Sequence, residues 1–185
     1  MSQGHIFQIN VSDGGVPKLA IPAGEVTVDG LRGDRQRDRQ HHGGPRRALC
    51  LFALEQILAL QAEGHPIYPG AIGENVTVAG LNWNRVVPGA RLQLGSDVEL
   101  AITSYAAPCR NIVAAFADAN INLVSQRKFP GRARVYARVL RPGSIRVGDV
   151  VRLLAADEAD DTNPVGDGGI AAMGRSRGKE KDPRP

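Results

Sequence analysis

The chain has 185 residues, enough for one domain with a full hydrophobic core and too few for two. No apolar run approaches the roughly 18 residues that a membrane span needs, and the N-terminal stretch MSQGHIFQINV lacks the basic flank and cleavage site of a signal peptide, so a cytoplasmic chain with two free thiols is expected. The chain's net charge is +4, and its basic excess belongs to residues 1–155, since the remainder carries more acids than bases; it implies an anionic partner, either nucleic acid or a small phosphorylated ligand.

Only 4% of the residues are aromatic, while 22 are glycine and 12 proline, a balance that favours short elements joined by tight turns. Phe7, Ile9 and Val11 alternate with polar residues, as do Val26 and Val28 before the turn signal Asp29-Gly30. Period two of this kind predicts half-buried strands. The stretch that follows, GDRQRDRQHHGGPRRALC from Gly33 to Cys50, has no apolar period and reads as a loop. It holds Asp34, Asp38, His41 and His42, the arginines Arg35, Arg37, Arg39, Arg46 and Arg47, and the pair Gly43-Gly44. Loops of this length rarely persist without function. Adjacent histidines on an extended chain point to opposite sides, and no H-x-x-x-H or C-x-x-C spacing exists, so a protein-only zinc site is disfavoured. The loop reads instead as glycines that let backbone approach an anion which arginine or histidine side chains neutralise, or else as a solvated basic loop.

Cys50, inside ALCLF, reads as core, and FALEQILALQAEG predicts a helix with Leu54, Ile57, Leu58 and Gln61 on one stripe and Gly64 as its stop. In YPGAIGENVTVAGL, Glu74 and Asn75 sit between a glycine turn and a strand at Val76 and Val78, where they either hydrogen-bond a ligand edge or cap the turn. Trp83 reads as a surface or rim residue without a role. Further alternation marks strands at Leu92 and Leu94, at Val98, Leu100 and Ile102, at Val135, Ala137 and Val139, and at Val151 and Leu153. Closely spaced strands separated by Pro88-Gly89, Gly95-Ser96, Pro142-Gly143 and Gly148-Asp149 suggest a mainly β fold closed into a barrel with a few short helices.

In SYAAPCRNI, Pro108 biases Ala107 toward an extended conformation, and the helical patterns NIVAAFADA and INLVSQRKF follow directly. Cys109 therefore stands at a helix entrance beside Arg110, a setting that favours thiolate and suits a nucleophile or metal ligand. A small core residue at a strand end fits the same position. A second basic group comprises Arg127, Lys128, Arg132, Arg134 and Arg138. Residues 1–155 are expected to form the domain and residues 156–185, without apolar periodicity, a disordered tail.

Taken in order and at these separations, GDRQRDRQHHGG, GAIGENVTVAGL, APCRN and RVYARVLRPGSIRVGDVVRL resemble the MOSC domain, named for the C-terminal domain of molybdenum cofactor sulfurases, in its stand-alone bacterial form over about residues 4–154. The resemblance implies a β-barrel and binding of the molybdenum cofactor, a pterin dithiolene. Cys109 corresponds to the family's cysteine, which either ligates molybdenum or carries sulfur as a persulfide. The implied activity is reduction of N-hydroxylated compounds. The expected cofactor-binding residues are Asp34, Arg35, Arg37, His41, His42, Gly43, Gly44, Arg47, Gly73, Glu74, Asn75, Arg110, Arg132 and Arg134, with Cys109 both catalytic and metal-ligating.

Such a reduction consumes two electrons, yet two cysteines cannot hold an iron-sulfur cluster that takes four ligands, and no G-x-G-x-x-G fingerprint is present. The expected partners are a small-molecule substrate and a separate flavin or iron-sulfur reductase, with neither nucleic acid nor membrane. The alternative is a non-redox sulfur-carrier or cofactor-transfer module using a persulfide on Cys109. A nucleic-acid-binding barrel is disfavoured because no aromatic side chain interleaves the charges of residues 32–47, and a thiol hydrolase lacks a third orienting residue.

Overall fold

A computed structural model describes residues 3–35 and 43–154. Arg37, His41 and His42, like the expected disordered tail at 156–185, lie outside the described residues.

The main sheet is a closed barrel. Strands β1 (Gln3–Val11), β5 (Leu49–Ala53), β6 (Val76–Ala79), β7 (Arg91–Leu94), β8 (Val98–Tyr105), β9 (Val135–Arg141) and β11 (Val150–Leu153) follow the spatial order β11-β7-β8-β9-β5-β6-β1, and β1 returns to β11. Closure depends on the length of β1, whose Gln3 to His5 pair with β11 while His5 to Ile9 pair with β6. Strand β2 (Leu19–Ile21) is added to the far end of β1. Strands β3 (Ala23–Thr27), β4 (Gly30–Leu31) and β10 (Gly143–Arg146) form a separate three-stranded sheet in the order β10-β3-β4.

Two sequence expectations shift for identifiable reasons. The alternation expected at Phe7, Ile9 and Val11 is broken by a register shift between Ile6 and Gln8; Ile6 and Ile9 face the core and Phe7 faces solvent. A bulge inserts one residue, and one residue is enough to swap faces. Strand β5 falls on residues read as the end of a loop and the start of a helix. All five of its residues are buried, so it has no wet face and no alternation to detect. Its pairing with β6 is parallel, and the crossover is α1 (Leu54–Ala62), which buries Ile57 and Leu60 while Leu58 is exposed. The helix ends before Gly64, as its sequence predicts.

The excursion after Cys109 consists of two 3-10 helices, Arg110–Ala115 and Ile121–Val124. Trp83 is buried rather than on the surface: its indole packs edge-on against Phe52 with centroids 6.4 Å apart, and Nε1 donates to the Ala133 carbonyl at 3.0 Å. Among the described residues no helix is long and apolar enough to cross a membrane.

Candidate functional site

A cavity of about 520 Å³ opens at one end of the barrel. Its walls come from the turn after β1 (Gly14 to Lys18), Arg35, Arg47, the segment Ile72 to Asn75, the Cys109 segment, and the paired strands β5 and β9 through Cys50, Arg134 and Tyr136. Cys50 and Tyr136 are directly opposite in the β5–β9 ladder, so one cross-strand pair supplies two neighbouring lining residues.

Of the residues expected from sequence, Arg35, Arg47, Gly73, Asn75, Cys109 and Arg134 line this cavity. Cys109 immediately precedes the 3-10 helix Arg110–Ala115 in an extended conformation, and it is a free, partly exposed thiol. Arg47 ends the 3-10 helix Pro45–Arg47, and its guanidinium lies 5.6 Å from the centroid of the Tyr136 ring. Arg35 reaches Asp13 at 2.8 Å on an exposed surface.

Asp34 and Glu74 act behind the wall. The Asp34 carboxylate accepts from the Ser12 N–H at 2.8 Å, from Lys18 Nζ at 2.5 Å and from Asn75 Nδ2 at 2.8 Å, which fixes the lysine and the amide at once. Asn75 in turn stands in for a missing strand partner. Its backbone N–H donates to the Cys50 carbonyl at 2.7 Å, its Oδ1 accepts from the Cys50 N–H at 3.1 Å, and its carbonyl accepts from Asn10 N–H at 2.7 Å. Glu74 is fully buried; Oε1 accepts from the Gly70 N–H at 2.6 Å and from Thr77 Oγ1 at 3.3 Å, while Oε2 has no partner. Burial pushes its carboxyl above the usual range against the pull of these bonds. Of the two sequence readings for Glu74, this geometry is the turn-holding one.

Gly43 and Gly44 lead into the helix that carries Arg47 and do not line the cavity; the Gly44 carbonyl accepts from the Arg47 N–H at 2.9 Å. Arg110 is exposed and is not among the residues that line the cavity, and Arg132 is held by a two-pronged pair with Glu63 at 3.1 and 2.6 Å. The cavity also recruits residues that sequence reasoning passed over: Lys18, Cys50, Asn111, Tyr136 and the Gly14-Gly15 turn. Lys18 was legible as a lone lysine following a double glycine, but Tyr136 looks like any strand aromatic until its neighbours are known.

Two glycines are needed by the geometry. Gly70 has φ +90°, and a Cβ there would lie 2.5 Å from the Lys18 carbonyl; Gly73 has φ +89°, and a Cβ would meet Val16 at 2.9 Å. Both let the Ile72–Asn75 segment close against the Lys18 turn. Burial pushes the Cys50 thiol up to about 11, with the nearby Arg134 opposing, and pushes the Tyr136 phenol up as well. Cys50 is therefore a neutral thiol at neutral pH, as its core reading implies, although it faces the cavity.

The MOSC domain model matches residues 38–152. The chain belongs to the MOSC domain family. YflK of Bacillus subtilis is 30% identical over 70% of this chain, and YiiM of Escherichia coli 27% identical over 70%. The chain spans 58% of the length of each of these curated relatives. A protein named reductase from Gibberella moniliformis is 31% identical over 69% of the chain, a region amounting to 23% of the fungal protein. Among solved structures, the YuaD protein of Bacillus subtilis superposes with a TM-score of 0.65 at 18% identity, over 80% of this chain and 94% of that one. The YiiM structure from Escherichia coli gives 0.62 at 22% identity, over 83% and 70%. These likenesses establish the MOSC-type barrel, a fold associated with molybdenum-cofactor proteins.

Proposed function

We propose that the cavity binds the molybdenum cofactor, with the Cys109 thiolate as metal ligand, and that the chain is the catalytic component of a reductase for N-hydroxylated compounds supplied with electrons by a separate flavin or iron-sulfur protein. The observation that carries this reading is the composition of the cavity wall. One partly exposed thiol and four cationic side chains, Lys18, Arg35, Arg47 and Arg134, face a common space, and no carboxylate is among the described lining residues.

The residues fit the group. Cys109 is a free, partly exposed thiol on the cavity wall, and a dithiolene would bring the metal's other ligands with it. A single soft thiolate suits the remaining position. The bound cofactor would supply two-electron chemistry at its metal.

This chain's residues would do the rest. Lys18 and Arg134 are preset by Asp34 and by the Ile72 carbonyl and offer positive charge to an anionic ligand. Asn75, locked by its bonds to Asn10, Cys50 and Asp34, holds the wall rigid. The fungal relative's name is consistent with a reductive role, and the matched region's small share of that protein is consistent with electrons delivered from outside the barrel.

The test is metal and pterin quantification on protein made in a cofactor-competent host, for the native chain and Cys109→Ser. Near-stoichiometric molybdenum that falls in the variant is expected, followed by turnover of an N-hydroxylated substrate with an added reductase. Metal absent from both proteins, with purification shown not to strip it, overturns the reading; one added sulfur on Cys109 after exposure to a desulfurase would then select the sulfur-carrier role.

A further inference from the structure

The charges around the cavity do not balance one by one. Lys18 is matched by Asp34 and Arg35 by Asp13. Arg134 is only 5% exposed, yet it makes no ion pair among the described residues; Nη1 donates to the Ile72 carbonyl, and Nε is buried without an acceptor. The acidic group that acts on it, Glu74, has committed Oε1 to Gly70 and Thr77 and is driven by burial toward its neutral acid, so it compensates Arg134 poorly. A guanidinium stays charged in any protein interior. A buried charge without a counterion is strongly unfavourable, and a fold that retains one beside an open cavity has left the counterion to be supplied from outside.

We propose that Arg134 makes this wall of the cavity a subsite for a small oxyanion, a phosphate monoester or a carboxylate, that forms without the metal and without Cys109. The subsite rests on the reading of this cavity as the ligand site and not on the cofactor itself. Its anion comes either from the phosphate of the cofactor or from an acidic group on the substrate, and in the second case the substrates of this chain are anionic. Arginine's fork of donors suits either oxyanion better than lysine's single point of charge.

The probe is inorganic phosphate, titrated into the full cofactor-free chain by calorimetry, with the Arg134 Nε–Hε resonance followed by NMR in the unaltered protein. The expected result is one saturable phosphate that shifts this resonance, binds about tenfold or more weakly to Arg134→Gln, and is unaffected by Arg146→Gln, an exposed arginine on β10. Saturation that leaves the Arg134 resonance unmoved, equal binding by Arg134→Gln, or no binding to the folded native chain would each overturn the subsite; the NMR reading stands even where the variant fails to fold. Repeating the titration on cofactor-loaded protein separates the two sources. Lost phosphate binding assigns Arg134 to the cofactor's phosphate, and retained binding assigns it to the substrate. A chain that binds phosphate but never molybdenum would sink the reductase proposal and leave the subsite standing.

Discussion

Cys50 and Leu51 are neighbours on β5, both buried, yet they belong to different parts of the molecule. Leu51 joins the barrel core with Phe52, Ile6, Ile9 and Leu100, an apolar interior. Cys50 turns to a small cluster with Ala106 and Tyr136, beside Arg134 and near Glu74 and Lys18. The first region is stabilised by packing and dehydration. The second buries polar groups, several matched in detail by Asp34 and Asn75 and two of them, Glu74 Oε2 and Arg134 Nε, left without partners. The contrast teaches that one set of strands can carry a packed apolar core and, beside it, a polar, ligand-ready wall.

The sharpest challenge to that division is truncation on each side of it. Phe52→Ala should cost about 3–5 kcal/mol in denaturant melts, because a fully buried ring that also meets Trp83 leaves a cavity behind. A loss below ~1 kcal/mol would mean that the interior is not the stabilising region. Arg134→Met should do the opposite and raise stability by about 1 kcal/mol or more, since it removes, at similar volume, a buried charge that has no ion pair among the described residues; a large destabilisation would make Arg134 a structural residue.

The two thiols sharpen the same boundary. With native protein near pH 8, iodoacetamide should modify Cys109 at least about tenfold faster than Cys50, whose burial and raised pKa of about 11 keep it neutral, and mass spectrometry of the two peptides gives the ratio. Equal rates would show that the cavity admits solvent to β5.

The smallest effect concerns Glu74. Its folded-state pKa is raised by burial, so the folded chain holds this proton more tightly than the unfolded chain does. Its contribution is fully present below the usual carboxylate range and is lost as pH rises through the folded value. Thermal melts across that window should therefore show Glu74→Gln gaining relative to the native chain as pH increases, and a constant difference would refute the assignment.

Much of the fold was legible because alternation is a local property. Strands β7, β8 and β11 each keep one buried face, and their apolar residues recur at period two. Strand β5 was illegible for the converse reason, and in β1 Phe7 was placed on the wrong face, though Ile9 and Val11 were not, because a bulge has no signature in composition. Of the residues that the sequence suggested for cofactor binding, Cys109, Asn75, Gly73, Arg35, Arg47 and Arg134 line the same cavity. Sequence reasoning placed Arg110 and Arg132 beside them only because they were near in the chain.

By itself, then, the sequence determined that this is a β-rich barrel domain of the MOSC family with a distinctive cysteine after a proline, because turn residues, period-two patterning and four ordered motifs are all written locally. Only the tertiary structure decided which charges meet. Barrel closure brings Lys18 from the turn after β1, Asn75 from the edge of β6 and Arg134 from the start of β9 to one wall. Whether a buried charge is matched by a carboxylate or left for a ligand depends on those long-range contacts, and charge balance across a cavity has no expression in the order of residues along the chain.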